Sequence, residues 1–73
     1  MNISEEMIRE NVIFDLEPVK RSIAQLIMRN GALHADDIAQ RLEMDAAELM
    51  TELTELELSG IVNSLPGKMF EIN

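Results

Sequence analysis

The stretch Glu55–Asn73, ELELSGIVNSLPGKMFEIN, contains the pattern that decides the fold. An acidic, leucine-rich run ends at Gly60, and two short apolar runs follow, separated by a Pro-Gly pair. Proline in the second position and glycine in the third position of Leu65–Lys68 favour a type II turn. The stretch therefore predicts the end of a helix, followed by a β-hairpin whose strands are residues 61–64 and 69–72.

The first of three predicted helices begins at Pro18, because proline is tolerated in the first turn of a helix, and it ends before Gly31. Its apolar residues recur at i, i+4, i+7 and i+8: Val19, Ile23, Leu26 and Ile27. Residues 1–17 are either a linker or an N-terminal arm that docks on the domain or on another subunit. The expected domain is residues 18–73.

The second helix is expected from Ala35 to about Leu42, with Asp36 and Asp37 favourable in its first turn. The third helix follows after a tight turn, and Asp45-Ala46-Ala47-Glu48 matches a capping box at its start. Its expected core face consists of the apolar residues that recur at helical spacing: Ala46, Leu49, Met50, Leu53 and Leu56.

These elements together predict a mainly α fold with a small β-hairpin. Val62, Phe70 and Ile72 are expected to cover the core from the hairpin. Leu33 is expected to add a short strand before the second helix. Three helices, the last two joined by a tight turn and followed by a hairpin, indicate a winged helix-turn-helix with a three-helix core plus wing.

Length and charge limit the function classes. The chain has 73 residues, which suffice for one small domain, and it has no cysteine for a disulfide or a thiolate metal site. No apolar run approaches the roughly 20 residues that span a bilayer, so we expect a soluble, cytoplasmic protein. With 14 Asp and Glu against 6 Lys and Arg, the net charge of −8 disfavours non-specific binding to nucleic acid.

Residues for catalysis are scarce in this sequence. His34 is the one histidine, and its place before the second helix suggests a capping or surface role. The carboxylate pairs Glu5-Glu6 and Asp36-Asp37 lie at expected helix starts, where the helix dipole explains them. No glycine-rich phosphate loop is present. We therefore expect no enzymatic activity, no cofactor and no metal.

The charges also bear on nucleic-acid binding, the usual role of this fold. Residues 42–67 contain no lysine or arginine, and the expected exposed side of the third helix carries Glu48, Glu52 and Glu55. Carboxylates repel the closely spaced phosphates of a duplex. The wing tip has one cation, Lys68. The cations of the helices are dispersed and predict only weak, salt-sensitive contact with nucleic acid: Lys20, Arg21, Arg29 and Arg41.

The 6 methionines are interpreted mainly as core filling, with Met50 on the core stripe of the third helix. Methionine repacks easily and is common at adaptable binding surfaces. Met7, Met44 and Met69 are therefore kept as candidate interface residues.

Two motifs carry a resemblance to a known family. They are Leu53-x-x-Leu56-Glu57-Leu58-x-Gly60-x-Val62-x-x-x-Pro66-Gly67-x-x-Phe70 and, at the start of the second helix, His34-Ala35-Asp36-Asp37-Ile38-Ala39. Over roughly Val19 to Ile72 the chain resembles the C-terminal winged-helix domain of the DNA-processing protein A (DprA, also called Smf) family.

The resemblance implies a role in natural transformation, the uptake and recombination of transforming DNA. In that family a dinucleotide-fold domain binds incoming single-stranded DNA and helps to load the recombinase RecA. The winged-helix domain is an accessory that serves self-association, partner contact or duplex binding. The resemblance favours a fragment of a longer protein over a free-standing relative, with residues 1–17 as the former linker.

We expect this domain to act mainly by protein–protein contact, with a protein partner or with the dinucleotide-fold domain of its own parent chain. The predicted contact residues lie on the third helix and the wing: Glu48, Glu52, Glu55, Leu65, Lys68 and Met69. One alternative is a DNA-binding module of the transcription-regulator type. Another is a dimerisation unit that uses the 1–17 arm.

Overall fold

The computed structural model describes residue 13 and residues 15–73. Within residues 15–73, six elements follow one another: α1 Pro18–Asn30, β1 Ala32–His34, α2 Ala35–Leu42, α3 Ala46–Leu58, β2 Val62–Leu65 and β3 Met69–Ile72. The strands form an antiparallel sheet in the order β1-β3-β2. The prediction of a three-helix core with a hairpin wing is confirmed, and so is the short strand at Leu33.

The three helices and the inner face of the sheet enclose one apolar core. Phe70 of β3 is 4% exposed and pairs with Leu33 of β1 on one side and with Ser64 of β2 on the other. The helical part of this core consists of Ile23 and Ile27 from α1, Ile38 from α2, and Leu49, Leu53 and Leu56 from α3. Ile72 packs against the same cluster from the end of β3.

Three residues that were predicted to face the core do not. Val19 is 44% exposed and Met50 is 40% exposed, and Ala46 is exposed as well. The core side of α3 is centred on Leu49 and Leu53. Because successive residues of a helix are rotated by about 100°, Met50 points to the flank of α3. The interpretation of Met50 as a core filler was therefore wrong.

The turn between α2 and α3 is closed by backbone hydrogen bonds. Glu43 adopts the left-handed conformation, with φ 54° and ψ 43°. Its N–H donates to the carbonyl of Gln40 at 3.3 Å, and the N–H of Met44 donates to the carbonyl of Ala39 at 2.9 Å. This pair of bonds is a Schellman motif. It fixes the direction in which α3 leaves the turn.

Asp45 occupies the N-cap position of α3, but its side chain makes no capping hydrogen bond. The capping box predicted from Asp45 and Glu48 is therefore wrong in its side-chain contacts. Both residues are exposed, so water competes for their carboxylates and for the free N–H groups of the first helical turn. The start of α3 is instead set by the turn and by the burial of Leu49.

The wing is short. Leu65 pairs with Met69 across the hairpin, which leaves a loop of Pro66, Gly67 and Lys68. Gly67 has φ 81°, the positive value that the third position of a type II turn requires. Lys68 also has a positive φ, of 59°, and its carbonyl accepts a hydrogen bond of 2.9 Å from the N–H of Ala35. The tip of the wing is thereby tied to the start of α2.

Two residues before α1 contact the folded domain. Ile13 is 2% exposed, and Leu16 packs against the core cluster. The N–H of Leu16 donates to the carbonyl of Ile13 at 3.1 Å. Residues 1–12 and 14 lie outside the described residues, and with them Met7 and the Glu5-Glu6 pair, so the interpretation of 1–17 as a linker or arm stays a prediction. Among the helices that the structure describes, none combines the length and the hydropathy needed to cross a bilayer.

Candidate functional site

Helix α3 is buried along one side and exposed along the other. Leu49, Leu53 and Leu56 face the core with at most 1% exposure. From the flank at Met50 round to the side opposite the core, α3 presents exposed residues without charge, spaced as one face of a helix: Ala47, Met50, Thr51, Thr54 and Leu58. We call these residues the α3 outer stripe. Sequence reasoning missed this set, although its helical spacing was visible in the sequence.

Both threonines of the α3 outer stripe donate their hydroxyl hydrogens to the helix itself. The hydroxyl of Thr51 donates to the carbonyl of Ala47 at 3.1 Å, and that of Thr54 donates to the carbonyl of Met50 at 2.8 Å. A hydroxyl has one hydrogen to donate, so neither group has a donor left for a ligand. With Leu58 82% exposed, the stripe offers mainly methyl, methylene and thioether groups.

The acidic residues of α3 lie at the edges of this stripe. A rotation of about 100° per residue places Glu48 and Glu55 along the edge nearer α1 and Glu57 at the other edge. Glu48 and Glu57 are exposed. The side chain of Glu52 is only 19% exposed, because it lies further round the helix toward α1. The expectation that Glu48, Glu52 and Glu55 all line the exposed side is therefore wrong for Glu52.

Lys20 of α1 holds two of these carboxylates. Its ammonium nitrogen lies 2.7 Å from Oε2 of Glu55 and 3.1 Å from Oε2 of Glu52, and Glu17 adds a longer contact of 3.8 Å. The hydrogen bonds to Glu55 and Glu52 raise the pKa of the Lys20 ammonium well above its usual 10.5. The cation is therefore committed to an interaction within the domain.

The other cations of the helices and the wing have different surroundings. Arg29 is exposed near the C-terminal end of α1. Arg41, near the end of α2, donates to the side-chain oxygen of Asn30 at 3.4 Å. Arg21 is half-buried beside Lys20 in the sequence. Lys68 lies on the wing, the exposed cation at the hairpin tip. The structure thus distributes these charges over α1, α2 and the wing.

The wing residues predicted to contact a partner differ in exposure. Leu65 and Met69 face each other across the hairpin and are half-buried, whereas Lys68 is exposed. Their role as contacts stays a prediction. An open cleft of about 180 Å³ lies elsewhere, between α1, the end of α2 and the start of α3. Its lining is mostly apolar: Val19, Ser22, Leu42, Met44 and Glu48.

His34 serves as the N-cap of α2. Its Nδ1 atom accepts a hydrogen bond of 3.0 Å from the N–H of Asp36. This places the imidazole in the capping role that the sequence suggested. Within residue 13 and residues 15–73, no group of three or more His, Cys, Asp or Glu side chains is arranged to hold a metal ion.

Comparison with known proteins agrees with this geometry. A sequence model described as the DprA winged helix domain matches residues 10–68. The chain belongs to the DprA winged-helix family. The match confirms the resemblance to this family that the sequence indicated, and it includes the LELxGxV motif and the Pro66-Gly67 pair. It also begins upstream of α1, on the segment that contributes Ile13 and Leu16 to the folded domain.

The fold of this DprA winged-helix domain is shared with a solved structure, the reduced form of MarR from E. coli. The two superpose with a TM-score of 0.77 at 14% sequence identity, over 100% of this chain and 64% of the MarR chain. At this identity the likeness establishes a common winged-helix fold. No curated protein sequence matches the chain.

Proposed function

We propose that this domain is an accessory unit of a DprA-type DNA-processing protein and that it acts mainly by protein contact. Membership of the DprA winged-helix family supports the first part of the proposal. Because of the same family membership, we propose that the domain takes part in the uptake and recombination of transforming DNA. The role is one of binding, without catalysis, cofactor or metal.

The observation that carries the protein-contact mode is the chemistry of α3. In a winged helix-turn-helix that reads DNA, this helix enters the major groove between two rows of phosphates. Residues 46–58 contain no cation, and Glu48 and Glu57 stand exposed at the two edges of the helix. Contacts to phosphate position a protein on the duplex before its bases are read, and α3 supplies no lysine or arginine for them.

Lys20 strengthens the argument. It is a cation of α1 that reaches α3, and its ammonium group is already bound to the carboxylates of Glu55 and Glu52. A phosphate that approached this ammonium group would meet the negative charge of both carboxylates. The partner surface that we propose comprises the exposed side of α3 with Glu48 and Glu55, together with the wing residues Leu65, Lys68 and Met69. Its occupant is a separate protein or the dinucleotide-fold domain of the parent chain.

Fluorescence anisotropy with a labelled DNA duplex tests the proposal. We expect negligible binding at about 50 mM salt, where electrostatic contacts are strong. The double variant Glu48→Lys/Glu57→Lys should gain salt-sensitive affinity, because it places cations at both edges of α3. Asp15→Lys/Glu71→Lys is the matched control, since it changes the net charge by the same amount at sites outside α3.

The control variant should gain much less affinity than the α3 variant. That result would show that the fold can accept a duplex and that the acidic edges of α3 prevent it. Micromolar binding of the unmodified domain, weakening steeply as salt rises to about 200 mM, would contradict the proposal and favour duplex reading.

A further inference from the structure

We infer that the α3 outer stripe is the docking site for an amphipathic helix with basic edges, supplied by a partner protein. The inference rests on the proposed function and names the chemistry of the partner. It depends on three features of α3: the length of the stripe, its apolar surface and the charges along its two edges.

The length of the stripe fits a helical partner. From Ala47 to Leu58 the helix rises by about 16 Å, or three turns. Helices that dock in this way place anchors at i, i+3, i+4 and i+7, the spacing that the stripe itself follows. A partner helix of three or four turns would cover the stripe along its whole length.

The surface of the stripe fits an apolar partner. Met50 and Leu58 are 40% and 82% exposed and lie on either side of the small residues Thr51 and Thr54. Because the threonine hydroxyls donate to the helix backbone, they add no unsatisfied donor when water is removed. Small side chains at a contact let the axes of packed helices approach closely, within the usual range of about 8–10 Å.

The charges select a basic partner. Glu48 and Glu55 line one edge and Glu57 the other, and α3 contains no lysine or arginine. Lys20 offsets only part of this charge, since it is shared between the carboxylates of Glu52 and Glu55. A second copy of this chain, with its own net charge of −8, would bring glutamates against glutamates. A helix with lysine or arginine beside its apolar stripe would instead complement both edges.

Amide chemical-shift mapping of the ¹⁵N-labelled chain tests the inference with a model peptide. The probe is a synthetic amphipathic peptide of leucine and lysine, and its partner control has glutamate in place of every lysine. We expect the lysine peptide to shift amides along 47–58, while the glutamate peptide leaves them unchanged. Binding should weaken as salt is raised, because the edge contacts are exposed ion pairs.

Two variants locate the site. Leu58→Lys should raise the dissociation constant for the lysine peptide by about tenfold or more, the order expected when an interface loses one buried leucine. Val19→Lys is the matched control, because Val19 is also an exposed apolar residue but lines the cleft between α1 and α3. It should leave the affinity unchanged within about twofold. Since both sites are exposed, thermal melting should confirm that both variants fold.

Three outcomes would overturn the inference: no shifts with the lysine peptide, equal binding of both peptides, or shifts that map to the Val19 cleft and respond to Val19→Lys. The same labelled sample, titrated separately with a DNA duplex, keeps the two proposals apart. Duplex binding on α3 would contradict the proposed function. Failure of the peptide alone, with no duplex binding, would contradict only the assignment of a basic helix.

Discussion

The ammonium nitrogen of Lys20 lies 2.7 Å from Oε2 of Glu55, so a cation of α1 is bound to the acidic edge of α3. The contact connects two residues that the sequence suggested for different tasks, Lys20 for weak nucleic-acid contact and Glu55 for partner binding. The ammonium group of Lys20 is thus paired with a carboxylate within the domain. The contact also fixes how α1 and α3 lie against each other at this edge of the domain.

Replacing Lys20 by methionine should lower the melting temperature, because it leaves the carboxylates of Glu52 and Glu55 beside each other without a cation. The loss should be smaller at high salt, which screens the repulsion. Lys20→Met combined with Glu55→Gln should cost less than the sum of the two single changes, since the pair is coupled. Additive losses would contradict the bridge.

The same contact predicts a dependence on alkaline pH. Because folding raises the pKa of Lys20, the stabilisation is complete below the unfolded value near 10.5 and is lost as the pH rises through the folded value. The difference in stability between the unmodified chain and Lys20→Met should therefore be constant at neutral and mildly alkaline pH. It should shrink only above about pH 10.5, as measured by urea unfolding. A loss below that pH would contradict the assignment.

Glu43→Gly should stabilise the domain by roughly 0.5–1 kcal/mol. Glu43 has φ 54° and ψ 43°, a conformation that costs a side-chain-bearing residue about 1–2 kcal/mol, offset in part by the greater freedom of glycine in the unfolded chain. Gly60→Ala is the matched control at the end of α3. There φ is 79° with nothing within 4 Å of an added Cβ.

The Gly60→Ala change should lower the free energy of unfolding by about 1 kcal/mol, through backbone strain alone. Urea unfolding measures both changes. Destabilisation by Glu43→Gly would show that the carboxylate of Glu43 makes a contribution larger than the strain.

Ile13→Ala and Met50→Ala should differ sharply in their effect on stability. Ile13 is 2% exposed, and removing a buried isoleucine side chain typically costs about 2–5 kcal/mol. Met50 is 40% exposed, so its truncation should cost about 0.5 kcal/mol or less. Thermal or urea unfolding of the full chain measures the stability of both variants. Equal losses of stability in the two variants would contradict the placement of Met50 on the flank of α3.

His34→Ala should destabilise the domain by about 0.5–2 kcal/mol, because the N–H of Asp36 loses its acceptor at the start of α2. His34→Ser should stay close to the unmodified chain, since a serine oxygen is a preferred acceptor at this position. Equal stability of both variants would mean that the Nδ1 contact contributes nothing measurable.

The order of elements could be predicted from the sequence because its signals are local. Pro18 starts α1, and the Pro66-Gly67 pair sets the wing turn. The spacing of Leu49, Leu53 and Leu56 defines the buried side of α3. Each of these signals acts within a few residues of the chain, so no knowledge of the packing was needed.

The site was less accessible to prediction because it depends on contacts between distant residues. Lys20 and Glu52 are 32 residues apart in sequence, and helical spacing alone does not show which side of α3 meets α1. Met50 was misplaced for a related reason. A methionine at the boundary of an apolar stripe is buried or exposed according to the neighbouring helix, which the sequence of α3 does not reveal.

The central claim is that α3 presents a surface for protein and not for DNA. Amide chemical shifts of the ¹⁵N-labelled chain, recorded with a DNA duplex at about 50 mM salt, test it most directly. We predict no cluster of shifted amides on residues 46–58 or on the wing, 65–69. A cluster on those residues that disappears as salt is raised would contradict the claim.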